Sequence, residues 1–296
     1  MASWDALYTT EIANHAHDPT DTGTAWFDDS DAEAKLLEFL EEPERAQEFG
    51  LDNKTTSFLD LGTGNGALLF ALRDNGWEGP MLGVDYSAQS VRFARRIERA
   101  RRCPSSSSSA NDEKEGEEEE DKIGGKEDVE RNDAAGKNGE DDEEGGDVDV
   151  HFAEHDILHG PATALLDEQY SPSISRGWDV VLDKGTFDAI SLSAETIDNN
   201  SNRRVNEAYG TRILPLVREG GLFLITSCNW TEAELKSWFE GDGAVQGIET
   251  STDARQGNEH WGFEVVGRVE YRSFSFGGVK GQTISSLCFQ KVRKSR

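Results

Sequence analysis

Apolar positions along this chain come in two patterns, short continuous runs and helical spacing, and the two alternate. Residues 57–61 form an apolar run that ends at Gly62, which predicts a buried strand; Leu68, Leu69, Ala71 and Leu72 then recur at helical spacing across residues 66–75. Residues 81–85 predict a second strand, and Ser87 is placed to cap the Arg-rich helix that follows. Further strands are predicted at residues 148–152, 179–183 and 221–227, with a helix over 206–217. Strands alternating with helices imply a mostly parallel sheet covered on both faces, an α/β architecture. Two last strand-like runs, 263–276 and 282–292, meet at Gly277-Gly278 and predict an antiparallel hairpin closing one edge. Ahead of the first strand, Ser30-Asp31-Ala32-Glu33 fits a capping box, opening a helix that turns Leu36, Leu37, Phe39 and Leu40 inward and stops near Pro43.

Two stretches break this alternation. Residues 1–29 carry Trp4, Leu7, Tyr8, Ile12, Trp26 and Phe27, too many large apolar groups for an idle tail, and are expected to form an arm that packs. Residues 104–147 begin with five serines and continue acidic with almost no bulky apolar residue, a composition that predicts disorder. The expected organisation is therefore an arm at 1–29 and one domain at 30–296, interrupted by an acidic insertion. Of the formal net charge of -28, residues 104–149 supply -14, from 19 Asp and Glu against 5 Lys and Arg. The remainder is as acidic again, a surface that repels phosphate backbones and favours basic partners over nucleic acid. Three cysteines, Cys103, Cys228 and Cys288, without paired spacing suit a reducing compartment. With no membrane-length apolar run and no secretory leader, the expectation is a soluble monomer in the cytoplasm, with the nucleus as a second compartment.

The candidate chemistry lies after the first strand, in Asp60-Leu61-Gly62-Thr63-Gly64-Asn65-Gly66. Glycines there permit a tight turn and close approach of a ligand to a helix N-terminus. With Ala67 the loop also satisfies a dinucleotide pattern, so an NAD-dependent oxidoreductase stays open at this point. Asp85 ends the second strand, 25 residues after Asp60, where a carboxylate accepts both hydroxyls of a ribose. Asp60 discriminates further: it would repel a pyrophosphate, whereas S-adenosylmethionine presents an ammonium and a sulfonium. After the third strand, Asp156 is a candidate acceptor for an adenine amino group and Ile157 a candidate to pack on the ring. Other features carry less. The basic stretch 91–102 has little aromatic interleaving and is expected to be a solvated helix face. His151, His155 and His159 fall where a strand runs into a loop, so their helical spacing does not make a metal site, and Ser191 and Ser193 lack hydrolase context.

With WDALYTTEI…GTAWFDDS near the start, FLDLGTGNGALLFAL followed by GVDYS, and DVVLDKGTFDAISL at residues 179–192, the chain resembles the seven-strand S-adenosylmethionine methyltransferases. Through the DKGTFDAI segment and the aromatic arm it resembles, more narrowly, the eukaryotic elongation factor 1-alpha lysine methyltransferases. The acidic insertion is the main departure. The resemblance implies a Rossmann-like fold with strand order 3-2-1-4-5-7-6, and S-adenosylmethionine held by Asp60, Gly62, Gly64, Asp85 and Asp156. It also implies that Asp183 faces the methyl group and the incoming lysine, as an orienting or transient proton acceptor. Trp26 and Phe27 then either cover the cofactor or line the lysine channel, or simply pack; Lys184 points away or pairs with an acid, and Asp188 braces the next helix. The implied substrate is a lysine of elongation factor 1-alpha, with another protein or a small molecule as the alternative.

Removing residues 104–147 is expected to leave fold and turnover largely intact, because the segment has little apolar surface to bury and loop-closure entropy depends only weakly on length. Thermal unfolding of the shortened chain checks this; a midpoint several degrees lower with collapsed yield would show that the segment packs on the domain.

Overall fold

The computed structural model describes residues 4–102, 150–170, 174–197, 203–240, 259–272, 274–276 and 279–295; the acidic insertion lies outside them. Helix α1 (Trp4–His17) opens the chain, followed by α2 (Ala32–Glu41) and α3 (Pro43–Phe49). Then come β1 (Phe58–Leu61), α4 (Ala67–Asp74), β2 (Met81–Asp85), α5 (Ala88–Arg102), β3 (Val150–Glu154) and β4 (Trp178–Lys184). The second half has α6 (Thr186–Ser191), α7 (Tyr209–Ile213), β5 (Val217–Ser227), α8 (Glu232–Glu240), β6 (Glu259–Val269), β7 (Phe274–Phe276), β8 (Val279–Gly281) and β9 (Ser285–Ser295).

Seven of these strands make one sheet in the order β3-β2-β1-β4-β5-β9-β6. Counting β9 as its seventh member, this is the order the family resemblance implies. Strands β1 to β5 run parallel, and β9 lies antiparallel between β5 and β6. The pairing of β2 with β3, Met81 opposite Val150, joins the segments on either side of the insertion in one sheet. Because both faces are covered, the central strands are mostly apolar rather than alternating, and β1 and β2 are buried at every position, Asp60 and Asp85 included. One face packs Leu36, Leu40, Phe70, Phe93 and Phe152 from the elements between α2 and β3. The other packs Phe187, Tyr209, Phe223, Phe239 and Phe289. Full burial of each such side chain stabilises by roughly 1.5–3 kcal/mol.

Three local expectations need correction. The capping box does not form: Asp31 takes the N-terminal position of α2 in a left-handed conformation, with φ 52°, and makes no side-chain cap. Ser30 instead shares a hydrogen bond with Thr283 at 3.0 Å, and Glu33 turns toward Lys184. The helix expected over 206–217 is broken, one α-turn between two 3-10 turns, since Pro215 cannot continue the hydrogen-bond ladder. The edge hairpin is β6 with β9, but a separate two-stranded ribbon of β7 and β8 is interposed between them; positions 277 and 278 lie outside the described residues. Ser87 does cap α5, accepting from the Ser90 amide at 3.2 Å. The Arg92, Arg95 and Arg99 side of that helix is exposed while Val91, Phe93, Ala94 and Ile97 are buried.

Candidate functional site

The strand order reverses direction between β1 and β4, and in an open parallel sheet the carboxyl ends at such a point border a crevice. The loop after β1 lies there. Gly62 and Gly64 have φ of 67° and 59°, and a Cβ on either would collide, with Thr186 Oγ1 at 2.0 Å and with Tyr8 Oη at 2.8 Å. Both positions therefore require glycine. The loop satisfies its own amides. Gly62 and Thr63 donate to the Val84 carbonyl, Gly64 to Asp85 Oδ2 at 3.1 Å, Gly66 to the Thr63 carbonyl and Ala67 to Asn65 Oδ1. Five amides of the loop are thus engaged within it or by the end of β2.

Asp60 is buried beneath the loop. Burial pushes its carboxyl up to about 7, against the Thr63 hydroxyl and the Lys184 ammonium, which hold it down. The Thr63 hydroxyl is buried beside it. Lys184 pairs with an acid, Glu33, at 3.3 Å, and donates to the Trp26 carbonyl at 3.2 Å. A buried carboxylate at this point suits a cationic group, such as the ammonium end of S-adenosylmethionine. Asp85 is buried at the end of β2, accepting from Gly64 and, through Oδ1, from the Ser87 amide at 2.9 Å. Burial raises its carboxyl, with the Ser87, Ser90 and Gly64 donors opposing. Next to it Tyr86 is 57% exposed. This exposed ring was not picked out from sequence, although its position directly after Asp85 was available as a signal.

Asp156 is exposed on the loop after β3. Its Oδ1 accepts from the Leu158 amide at 2.8 Å and its Oδ2 meets His159 Nδ1 at 2.8 Å; partial burial pushes its carboxyl up, but the His159 and Leu158 bonds together outweigh it and hold the carboxyl below the usual range. Ile157 is half-buried against the core. Trp26 is 42% exposed, with its ring 5.2 Å from Trp4, and the Phe27 ring lies over Gly185. Phe27 holds a left-handed φ of 65°, uncommon for a bulky residue and a cost on the order of 1 kcal/mol or more. Helix α1 closes over the same region: Ser87 donates to Asp5 at 2.6 Å, and Asn65 reaches back to the Thr22 carbonyl at 2.8 Å.

Asp183 differs from its expected orientation. It stands at the tip of β4 but is only 1% exposed, and its carboxylate turns inward. Tyr209 donates to Oδ2 at 2.7 Å, the Thr186 amide to Oδ1 at 2.8 Å, and the Phe187 amide to Oδ2 at 3.1 Å. Burial lifts its carboxyl to about 7 despite these donors. The group thus anchors α6 and Tyr209, and at 1% exposure it presents little acceptor surface to the crevice. Tyr209 had no role in the sequence pattern, because its partner lies 26 positions away. Asp188 is buried as well and braces α6 as expected, but against β5: it accepts from the Ser227 hydroxyl and, at 2.7 Å, from the Cys228 amide.

Residues 52–105 match the family model described as a methyltransferase domain. Protein-lysine N-methyltransferase EFM4 of Saccharomyces cerevisiae is 32% identical over 97% of this chain and 92% of its own length. Its namesake in Schizosaccharomyces pombe is 31% identical over 97% of this chain and 91% of its own. EEF1A lysine methyltransferase 2 of Homo sapiens is 27% identical over 98% of this chain and 84% of its own. Among solved structures, magnesium protoporphyrin IX methyltransferase from Synechocystis, with bound SAM, aligns at a TM-score of 0.41 and 11% identity, over 87% of this chain and 80% of that one.

The raised carboxyls set a pH dependence. Asp60 and Asp183 titrate near 7 when folded, against 3.8 ordinarily, so between those values the native state holds protons that the unfolded state has released. Their contribution to stability is present at about pH 4 and is lost as pH rises toward 7. Asp183→Asn keeps the shape without the titration, so its stability should fall less steeply over that window. Urea midpoints at pH 5 and pH 7 measure this, and an unchanged difference between wild type and variant would refute it.

Proposed function

The chain belongs to the protein-lysine N-methyltransferases of the EFM4 and EEF1A lysine methyltransferase 2 family, and from that premise we propose that it methylates a lysine of elongation factor 1-alpha, acting as a cytoplasmic monomer. The observation that carries this is similarity along nearly the whole chain, arm and carboxyl-terminal strands included, to relatives whose names specify that factor. A protein substrate also suits the charge, since a chain at -28 attracts a basic segment.

Bound at the crevice, S-adenosylmethionine supplies a methyl carbon already activated by its sulfonium. Asp85 is placed to accept from the ribose hydroxyls, and Asp60 with Thr63 to face the ammonium. The Tyr86 ring, with Asp156 and Ile157, borders the adenine end. What remains for the chain is alignment and a neutral amine. A lysine of pKa ~10.4 costs about 4 kcal/mol to hold neutral near pH 7.4, and a narrow, partly dry channel lowers that cost by penalising the ammonium. The arm supplies dryness, through Trp26, Phe27 and α1 laid over the loop. Asp183 contributes by fixing α6 and Tyr209, and so the shape of the wall.

Incubating purified elongation factor 1-alpha with the enzyme and labelled cofactor tests the substrate: label on a lysine is expected, and its absence, with another extract protein labelled instead, would reassign it. Asp85→Ala should weaken S-adenosylmethionine by about 1.5–3 kcal/mol for each lost charge-assisted hydrogen bond. Titration calorimetry measures the loss, and unchanged affinity in a folded variant would remove Asp85 from the ribose site.

A further inference from the structure

With Asp183 buried among its donors, its carboxylate presents little acceptor surface to a substrate amine. The carboxyl end of β5 offers an acceptor. Strands β2 and β3 carry the groups assigned to the nucleoside, so the lysine must approach from the opposite side of β4, where β5 lies alongside with Lys184 opposite Thr226. The chain leaves β5 there through Cys228, Asn229 and Trp230. Cys228 and Asn229 are exposed, and Trp230 is half-buried.

This turn is held with unusual thoroughness. Ser227, fully buried, donates to Asp188 and at the same time accepts from the amides of Asn229 at 3.1 Å and Trp230 at 3.0 Å. The second Asp188 oxygen takes the Cys228 amide. The Trp230 ring packs against Phe187 at 5.9 Å and Trp238 at 5.5 Å, and its buried indole nitrogen has no hydrogen-bond partner among the described residues. Phe187 in turn stacks on Tyr209 at 5.3 Å, and both donate to Asp183. Two buried carboxylates, one at the tip of β4 and one on α6, thus fix a single exposed turn. Asn229 stands exposed on this rigid base, and its side-chain oxygen meets the weak Cys228 thiol at 3.7 Å.

We propose that this turn is the lysine-receiving wall of the site: the Asn229 side-chain carbonyl accepts a hydrogen bond from the substrate amine, the Trp230 face lies along its methylenes, and Asp188 with Ser227 are positioning residues. This rests on the lysine-methyltransferase reading. A neutral amide is the suitable acceptor, because it orients the nitrogen without stabilising the ammonium, as a carboxylate in the same place would.

The experiment compares Asn229→Ala and Asn229→Asp with wild type, on the protein that wild type labels, with calorimetry of S-adenosylmethionine on each. Asn229→Ala should lower kcat/KM for the protein about tenfold while leaving cofactor affinity unchanged. Asn229→Asp retains an acceptor but adds charge, so it should recover rate at high pH and shift the pH–rate profile alkaline by on the order of one unit. A structural role would not produce that shift. Wild-type kcat/KM in Asn229→Ala together with an unshifted profile in Asn229→Asp overturns the inference alone. A wild type that labels no protein lysine overturns the transferase reading, and this inference with it.

Discussion

A carboxylate sealed at the tip of the central strand organises one side of the crevice. Asp183 has to be buried, because β4 lies between β1 and β5 and the α6–α8 layer covers it. A buried carboxylate is tolerated only where donors surround it. Three donors do so here, and each belongs to an element that the crevice needs in place: the Thr186 and Phe187 amides start α6, and the Tyr209 hydroxyl holds α7. Thr186 extends the link to the cofactor loop, since its hydroxyl donates to the Leu61 carbonyl at 2.6 Å. One desolvated group thereby ties β4, α6, α7 and the loop after β1 into a unit that cannot shift piecemeal.

The fold was legible in the sequence because the signals that set it are local. Apolar runs ended by Gly62 or Asp85, and helical spacing at Leu68, Leu69 and Leu72, each report on a few neighbouring residues. The glycine loop was legible for the same reason, since Gly62 and Gly64 adopt backbone conformations that few other residues reach. What the pattern missed is non-local. Nothing near Asp183 announces that Tyr209 will donate to it, and the capping-box motif at Ser30 lost to contacts with Thr283 and Lys184, hundreds of positions away or across the sheet. The family resemblance placed Asp183 at the right strand end but could not give the direction of its side chain. That direction depends on which face of β4 is covered by α6, which is a tertiary fact.

Acidity plays two opposed parts in this molecule. On the surface, scattered carboxylates set a field that favours a basic partner. Within the site, Asp60, Asp85 and Asp183 are desolvated enough that burial is the leading influence on each. Enclosure of that kind disfavours a charge that has no carboxylate partner, the ammonium of a lysine entering away from Asp60 included. A site walled in this way selects the neutral amine that methyl transfer requires without a dedicated base, and it makes alignment the remaining task.

Alignment in turn depends on the arm. Tyr8 stands over Gly64, Asn65 binds the Thr22 carbonyl, Ser87 binds Asp5 and Lys184 binds the Trp26 carbonyl. Each of these bonds ends on a residue of the cofactor loop, next to Asp85, or at the tip of β4. The arm is thus fastened both to the parts of the crevice that hold the ligand and, through Tyr8, Ile12 and His15, to the core beside α5. Opening it costs several hydrogen bonds together, and any ligand that strengthens the loop strengthens the arm by the same linkage. The left-handed Phe27 is consistent with this, because a strained turn persists only where the contacts on either side of it over-determine its path.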